Sequence, residues 1–256
     1  MTTFKFKDID VSKFSIGNIR EGTKMRTFYI DYNHEIFSVQ SPHLLLDWGG
    51  VPKLDQYHQK DSDRRYVLYG IEPQAASKTR ETAEEYQKRS QELESFDDWL
   101  RSIEDWVNTD SVQTKLFGTR SADFIPLVRA GTNGAPNKIK FKFYADRETG
   151  DPDFDLCQCK EGKTEWEETE GMTLEDLRSK VFRYMGNQRF IFQIRGWTDK
   201  IFKQRRHGSH KPVRFGITMV IKSVEYSAPV QREVSTDQPE FLDSDDEIIV
   251  TDDKTV

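Results

Sequence analysis

Residues 189–226 read RFIFQIRGWTDKIFKQRRHGSHKPVRFGITMVIKSVEY, and this stretch decides the fold. Apolar and polar side chains alternate in RFIFQIRGW and again in RFGITMVIKSVEY, which is the period of a β-strand. Between the two runs lies a segment rich in Lys and Arg that contains no acidic residue after Asp199. The pattern predicts two neighbouring strands, the last of the fold, joined by a basic loop.

Alternation of the same kind recurs toward the N-terminus and predicts further short strands. One case, TFYIDYNHEIFSV, surrounds the turn-forming pair Asn33 and His34 and is typical of a β-hairpin. The runs are TFYIDYNHEIFSV (27–39), RRYVLYGIE (64–72), ADFIPLVRAG (122–131) and NKIKFKFYAD (137–146).

Two segments have the helical period instead. Apolar residues recur at intervals of three and four between about residues 79 and 107, which predicts a helical insertion between strands. Thr173, followed three residues later by Asp176, resembles a capping box and predicts a short second helix. Many short strands with helical additions predict a mainly β protein of the α+β class, built on a β-barrel or a strongly curved sheet.

Charge divides the chain into two parts. The whole chain has a net charge of −6, but residues 227–256 contain nine acidic and two basic residues and carry −7 by themselves, so residues 1–226 carry +1. The segment after Tyr226 is rich in Pro, Ser, Asp and Glu, a composition typical of disorder. We therefore expect one domain over 1–226 and an acidic disordered tail over 227–256.

The sequence also indicates the cellular setting. No run of eighteen apolar residues occurs, and the N-terminal MTTFKFKDID lacks the apolar segment of a signal peptide. The two cysteines, Cys157 and Cys159, stand too close for an ordinary disulfide, which fits a reducing compartment. We expect an intracellular protein, in the cytoplasm or nucleus, that does not bind a membrane.

The basic segment and its aromatic neighbours predict binding of single-stranded nucleic acid, because cations neutralise phosphates and aromatic rings stack on bases. A second candidate surface is the strand at 138–142, whose lysines share one face. The alternative is a solvated loop, with Trp197 and Phe215 in the core. The candidate binding residues are Lys138, Lys140, Lys142, Trp197, Lys200, Phe202, Lys203, Arg205, Arg206, Lys211 and Arg214.

Other chemistries have weaker support. Cys157 and Cys159 together with His207 and His210 offer four zinc ligands, but neither spacing matches a common zinc motif. The acidic turn DPDFD (151–155) offers oxygen ligands for Mg²⁺, although a turn explains the same residues. No phosphate-binding glycine loop, dinucleotide fingerprint or nucleophile elbow is present. We therefore expect neither an enzyme nor a cofactor.

Four segments in this order resemble the single-stranded DNA-binding proteins of the large nucleocytoplasmic DNA viruses. They are IFSVQSPHLLLDWGG (36–50), ESFDDWLRSIEDWV (94–107), FIPLVRAGTNGAPNKIKFKFY (124–144) and the stretch from Ile191 to Tyr226. The resemblance implies an OB-fold-like β-barrel with helical elaborations that binds single-stranded DNA, without catalysis, in viral replication or repair. It also implies a location in the host cytoplasm, the nucleus or the virion.

Two further hypotheses remain open at this point. The acidic tail contains Phe241 and the apolar run 248–250 among its acids, which favours contact with the basic groove of its own chain or with replication proteins. The alternative is a disordered tail whose apolar residues have no binding role. The alternative function is that of a structural or scaffold protein of a virion or replication compartment. The sequence does not distinguish DNA from RNA as the ligand.

Overall fold

The computed structural model describes residues 2–22, 25–73, 81–118, 122–160, 162–199 and 212–227. These ranges contain thirteen strands, which we number in chain order: β1 Thr2–Lys5, β2 Phe14–Glu21, β3 Met25–Tyr32, β4 Phe37–Gln40, β5 Leu44–Leu45, β6 Gly49–Gly50, β7 Tyr66–Gly70, β8 Ala122–Ile125, β9 Lys138–Lys142, β10 Asp155–Lys160, β11 Lys163–Glu167, β12 Asn187–Asp199 and β13 Val213–Ser227.

The same ranges contain three α-helices: α1 Ala83–Val107, α2 Asp110–Phe117 and α3 Leu174–Asp176, the last continuing into a π-helical turn at Leu177–Val181. Thr82 and Glu85 form a capping box at the start of α1, since each side chain accepts the other's backbone N–H. Thr173 and Asp176 do the same for α3. The predicted helical insertion and the predicted capping box are therefore confirmed. None of the helices in the described ranges combines the length and apolar composition needed to cross a bilayer.

All strands belong to one mixed sheet centred on β12 and β13. These two long strands are antiparallel neighbours, as predicted. The other edge of β12 is shared by β3, β4 and β5, and the other edge of β13 by β8, β9 and β10. Beyond these, β1 pairs with β4, β2 with β3, β7 with β9, β6 with β7, and β11 with β10.

The mainly β, α+β class is confirmed, but the predicted closed barrel is wrong. In the described residues the sheet branches into short outer strands on both sides of the β12–β13 pair, and no pairing joins the outermost strands to each other. An alternating pattern fixes which residues form strands but not which strands pair. For the same reason the predicted hairpin at 27–39 is only partly right. Its turn is present, with φ of 51° at Asn33 and 66° at His34, but beyond one bridge β3 and β4 pair with β12 rather than with each other.

The hydrophobic core lies on the sheet face that α1 covers. From α1, Phe96 and Trp99 contact Phe192 of β12, and Phe192 contacts Phe141 of β9. Successive residues of a strand point to opposite faces, so the neighbours of these core residues in sequence point to the uncovered face. That uncovered face carries Lys140 and Lys142.

Candidate nucleic-acid interface

A groove of about 310 Å³ lies on the sheet face opposite α1. Its floor is formed by β3, β12, β13 and β9, and the chain between β8 and β9 forms a wall. Its cationic and aromatic lining includes Arg20, Tyr29, Arg129, Lys140, Lys142, Tyr144, Arg195 and Trp197.

Strand register brings the floor residues together. Arg195 lies opposite Tyr29 of β3 on one side and opposite Thr218 of β13 on the other. One step along the same face, Trp197 lies opposite Gly216. A Cβ atom on Gly216 would stand 3.0 Å from two atoms of the Trp197 indole, so the absence of a side chain there lets the indole cross β13 closely.

Trp197 and Phe215 have different roles. Trp197 is half-buried and lines the groove. Phe215 is completely buried, with its ring centroid 4.9 Å from that of Phe117 and 5.2 Å from that of Phe124. The core interpretation is therefore right for Phe215, whereas Trp197 lies at the groove surface.

The wall is fixed to the helix behind it. The Glu104 carboxylate of α1 accepts hydrogen bonds from the backbone N–H groups of Leu127 and Val128, the second at 2.8 Å. The next residue, Arg129, exchanges backbone hydrogen bonds with Lys138 of β9, at 2.9 and 2.8 Å. Both anchors hold the Arg129 segment against the groove.

Five cationic side chains line the groove: Arg20, Arg129, Lys140, Lys142 and Arg195. No Asp or Glu is among the described residues that line it. Within the described ranges, none of the five forms an ion pair with a carboxylate, although other Lys and Arg side chains in the same ranges do, for example Lys180 with Glu167 and Arg189 with Glu225. Their positive charge is therefore left for a ligand to neutralise.

Burial and mutual repulsion lower the pKa of two of these cations. Burial, together with the neighbouring charges of Lys142 and Arg129, lowers the pKa of Lys140 to about 8. Burial also lowers the pKa of Lys142, and Arg129 adds to this effect. An anion placed among them would reverse the charge contribution and favour the protonated forms.

Aromatic rings stack on the same cations. The Arg195 guanidinium carbon lies 5.0 Å from the ring centroid of Tyr29 and 5.7 Å from that of Tyr144. Arg20 also lies over the Tyr29 ring, at 5.2 Å. On the far side of β9, the Lys140 Nζ lies 3.6 Å from the Tyr66 ring centroid. Two guanidinium groups thus lie against the Tyr29 ring, and one of them also lies near the Tyr144 ring.

The predicted site residues fall into three groups. Lys140, Lys142 and Trp197 line the groove. Lys138 shares their sheet face but directs its Nζ over the Trp48 ring, 5.7 Å away, and Arg214 forms an ion pair with Asp199 at 2.9 Å. The remaining predicted residues lie outside the described residues: Lys200, Phe202, Lys203, Arg205, Arg206 and Lys211.

Sequence reasoning missed most of the other groove residues. Arg195 stands two positions before Trp197 on the same strand, so the period of two already placed both on one face. Tyr144 follows the three alternating lysines by the same rule. No sequence signal identified Arg20, Tyr29 or Arg129, because they come from a neighbouring strand pair and from the wall.

The candidate metal ligands do not come together in the described part of the chain, where no group of three or more His, Cys, Asp or Glu residues could hold a metal ion. Cys157 is buried on β10, and burial raises the pKa of its thiol to about 11. His207 and His210 lie outside the described residues.

Within the described residues, the groove combines cations that have no carboxylate partner with aromatic rings. The cations can neutralise phosphates, and the half-buried Trp197 ring and the exposed Tyr144 ring can stack on planar groups. The hydroxyl groups of Thr27 and Thr218 add neutral hydrogen-bonding capacity. No known protein-family model matches the chain, and no curated protein shows significant similarity to it.

Proposed function

We propose that the groove binds single-stranded DNA with little dependence on sequence. The observation that carries the proposal is the set of five groove cations that have no carboxylate partner in the described part of the chain, combined with the half-buried indole of Trp197 on the same floor. Phosphate neutralisation supplies affinity for any sequence, and stacking is tolerant of the base because every base has an aromatic face.

A single strand is favoured over a duplex for a physical reason. In a duplex each base is covered on both faces by its neighbours, so a tryptophan on a sheet can stack only on a base that has left the helix. The groove residues available for stacking are Tyr144 and Trp197, and both line the groove.

We also propose that the open sheet is an elaborated relative of the OB fold and that the protein serves viral DNA replication or repair. Support for the fold relation is that a strand face carries the candidate interface, as in OB-fold proteins. Support for the biological setting is the resemblance in motif order described above. The alternative of a structural or scaffold protein predicts no affinity for oligonucleotides.

The test is a salt titration of oligonucleotide binding, with single strand and duplex compared side by side. If all five groove cations contact phosphates, log Kd against log salt should have a slope of magnitude about 3.5, at about 0.7 per contact on single strands. Lys142→Gln should reduce the slope by about 0.7, whereas Lys163→Gln on the exposed strand β11 should leave it unchanged.

Stacking is tested separately. Trp197→Ala should weaken binding by about 1–3 kcal/mol with the salt slope unchanged, because no charge is lost. Equal affinity for duplex and single strand, or a slope near zero, would contradict the proposal. An RNA strand of the same sequence serves as the third ligand and measures the preference between RNA and DNA.

A further inference from the structure

The cation–aromatic contacts continue past the groove, from β9 onto β7. Lys142 lies directly opposite Tyr66 in the β7–β9 register. Lys140, which lines the groove, also places its Nζ 3.6 Å from the centroid of the Tyr66 ring. Lys140 therefore belongs both to the groove and to a surface that leads away from it.

Tyr66 is held by the loop that precedes β7. Its hydroxyl lies 2.8 Å from Nε2 of His58. Asp55 fixes this loop, because one of its carboxylate oxygens accepts the backbone N–H groups of Tyr57 and His58 at 2.8 and 2.7 Å. The same oxygen lies 3.1 Å from Nδ1 of His58. Asp55 is thus engaged within its own loop.

This anchored loop presents Tyr57 outward. The Tyr57 side chain is 78% exposed, the largest exposed fraction among the large hydrophobic residues in the described part of the chain. Its backbone is nevertheless fixed by Asp55, and its neighbour His58 is fixed to Tyr66. A tyrosine ring that is exposed but held by an ordered backbone can stack on a base at little cost in conformational entropy.

Lys138 leads to a different part of the surface. It is the register partner of Gly70 on β7 and directs its Nζ over the Trp48 ring. Neither Lys138 nor Trp48 lines the groove, whereas Lys140 lines it and also contacts Tyr66. The continuation from the groove therefore leads over Lys140 to Tyr66.

We propose that a bound single strand leaves the groove over Lys140 and Tyr66 and places a further base on Tyr57. This inference rests on the proposed function. Three strand intervals separate Trp197 on β12 from Tyr66 on β7, or about 14 Å at about 4.8 Å per interval. Trp197 is level with Gly216 and Tyr66 with Val220, so the two are also four residues apart along β13, or about 13 Å at about 3.3 Å per residue. The direct distance is therefore about 19 Å, which about six stacked nucleotides span at the 3.4 Å rise of stacked bases. Contact with Tyr57 requires a longer strand.

The test compares a strand of about four nucleotides with one of about ten, both within the range of site sizes known for OB folds. Tyr57→Ala should weaken binding of the longer strand about fivefold or more and leave the affinity of the shorter strand unchanged. Tyr57→Phe keeps the ring and should restore the affinity for the longer strand. Trp197→Ala in the groove should weaken both lengths.

Matched variants control for nonspecific effects. Tyr184→Ala removes a tyrosine that is 69% exposed in the turn before β12, and Trp48→Ala removes the indole beneath Lys138, outside the groove. Both should leave the affinity for either length unchanged once thermal melting confirms folding. If Tyr57→Ala changes neither length while Trp197→Ala weakens both, the strand ends in the groove and this inference is overturned with the proposed function intact. If the unaltered protein binds neither length, the proposed function itself fails.

Discussion

Raising the pH from 7 to 9 should weaken single-strand binding by about tenfold through one side chain, Lys140. Burial and two neighbouring cations lower the pKa of Lys140 to about 8. The ammonium group is therefore about nine-tenths protonated at pH 7 and about one-tenth protonated at pH 9. A bound phosphate favours the protonated form and returns the pKa toward its ordinary value of 10.5. Binding at pH 9 must take up a proton, and the linkage gives a loss of about one decade in affinity.

Folding stability should change in the opposite direction over the same interval. Because the folded-state pKa of Lys140 lies below the unfolded-state value, the unfolded chain binds more protons between about pH 8 and 10.5. This residue therefore makes the folded protein more stable, relative to the unfolded chain, as pH rises through that window. Weaker binding at pH 9 cannot then be attributed to unfolding through Lys140, and urea denaturation at both pH values checks this sign.

The assay is fluorescence anisotropy of a labelled deoxyadenylate strand at constant ionic strength, because thymine and guanine begin to lose a ring proton in the same pH range. Lys140→Arg keeps its charge at pH 9 and should abolish most of the pH dependence. Lys138→Arg, on the same strand but outside the groove, should retain it. The reasoning is refuted if the unaltered protein and Lys140→Arg lose affinity equally between pH 7 and 9.

Three further predictions concern the wall, the floor and the tail. Glu104→Ala leaves the N–H groups of Leu127 and Val128 without their acceptor. The free energy of unfolding, measured by urea denaturation, should fall by about 1–3 kcal/mol. The control Glu94→Ala, on the exposed side of α1, should leave it unchanged. Gly196→Ala places a Cβ atom within the Phe28 ring and should lower the free energy of unfolding by about 1–3 kcal/mol. Adding Phe28→Leu should recover part of that loss. An unchanged free energy of unfolding in Gly196→Ala would contradict this packing. Truncation after Ser227 removes a charge of −7 and should tighten single-strand binding at about 50 mM salt, with a difference that shrinks as salt rises. Replacing the nine tail acids by Asn or Gln should reproduce the effect, and superimposable binding curves would show that the tail does not compete for the groove.

Local sequence patterns predicted many helices and strands of this protein, because each pattern depends only on residues close together in the chain. The alternation around Phe141 and in residues 214–226 corresponds to β9 and β13, and the spacing of Phe96, Leu100 and Ile103 corresponds to the buried face of α1. The Thr173–Asp176 pair marks the start of α3. Strands β10 and β11 were not anticipated, since the acidic turn before them and their polar composition gave no clear alternation.

Pairing between distant strands was decided only by the tertiary structure. Period-two alternation places Lys140, Lys142, Arg195 and Trp197 on the faces of their own strands, but it does not say which strands are neighbours. The parallel pairing of β9 with β13 brings the lysines to the groove, and the antiparallel pairing of β12 with β3 adds Tyr29. The same freedom of pairing produced an open, branched sheet where the sequence suggested a barrel.

The basic segment 200–214 gave the strongest functional signal in the sequence, but the cations of the described groove come from other parts of the chain. Six cations lie between Lys200 and Arg214 in one segment, whereas the described groove collects two cations from β9 and one each from β2, β12 and the wall. Isolated cations such as Arg20 and Arg129 are indistinguishable from solvated surface residues in a linear sequence. They form one cationic surface only because folding brings them together around a groove in which no described lining residue is acidic.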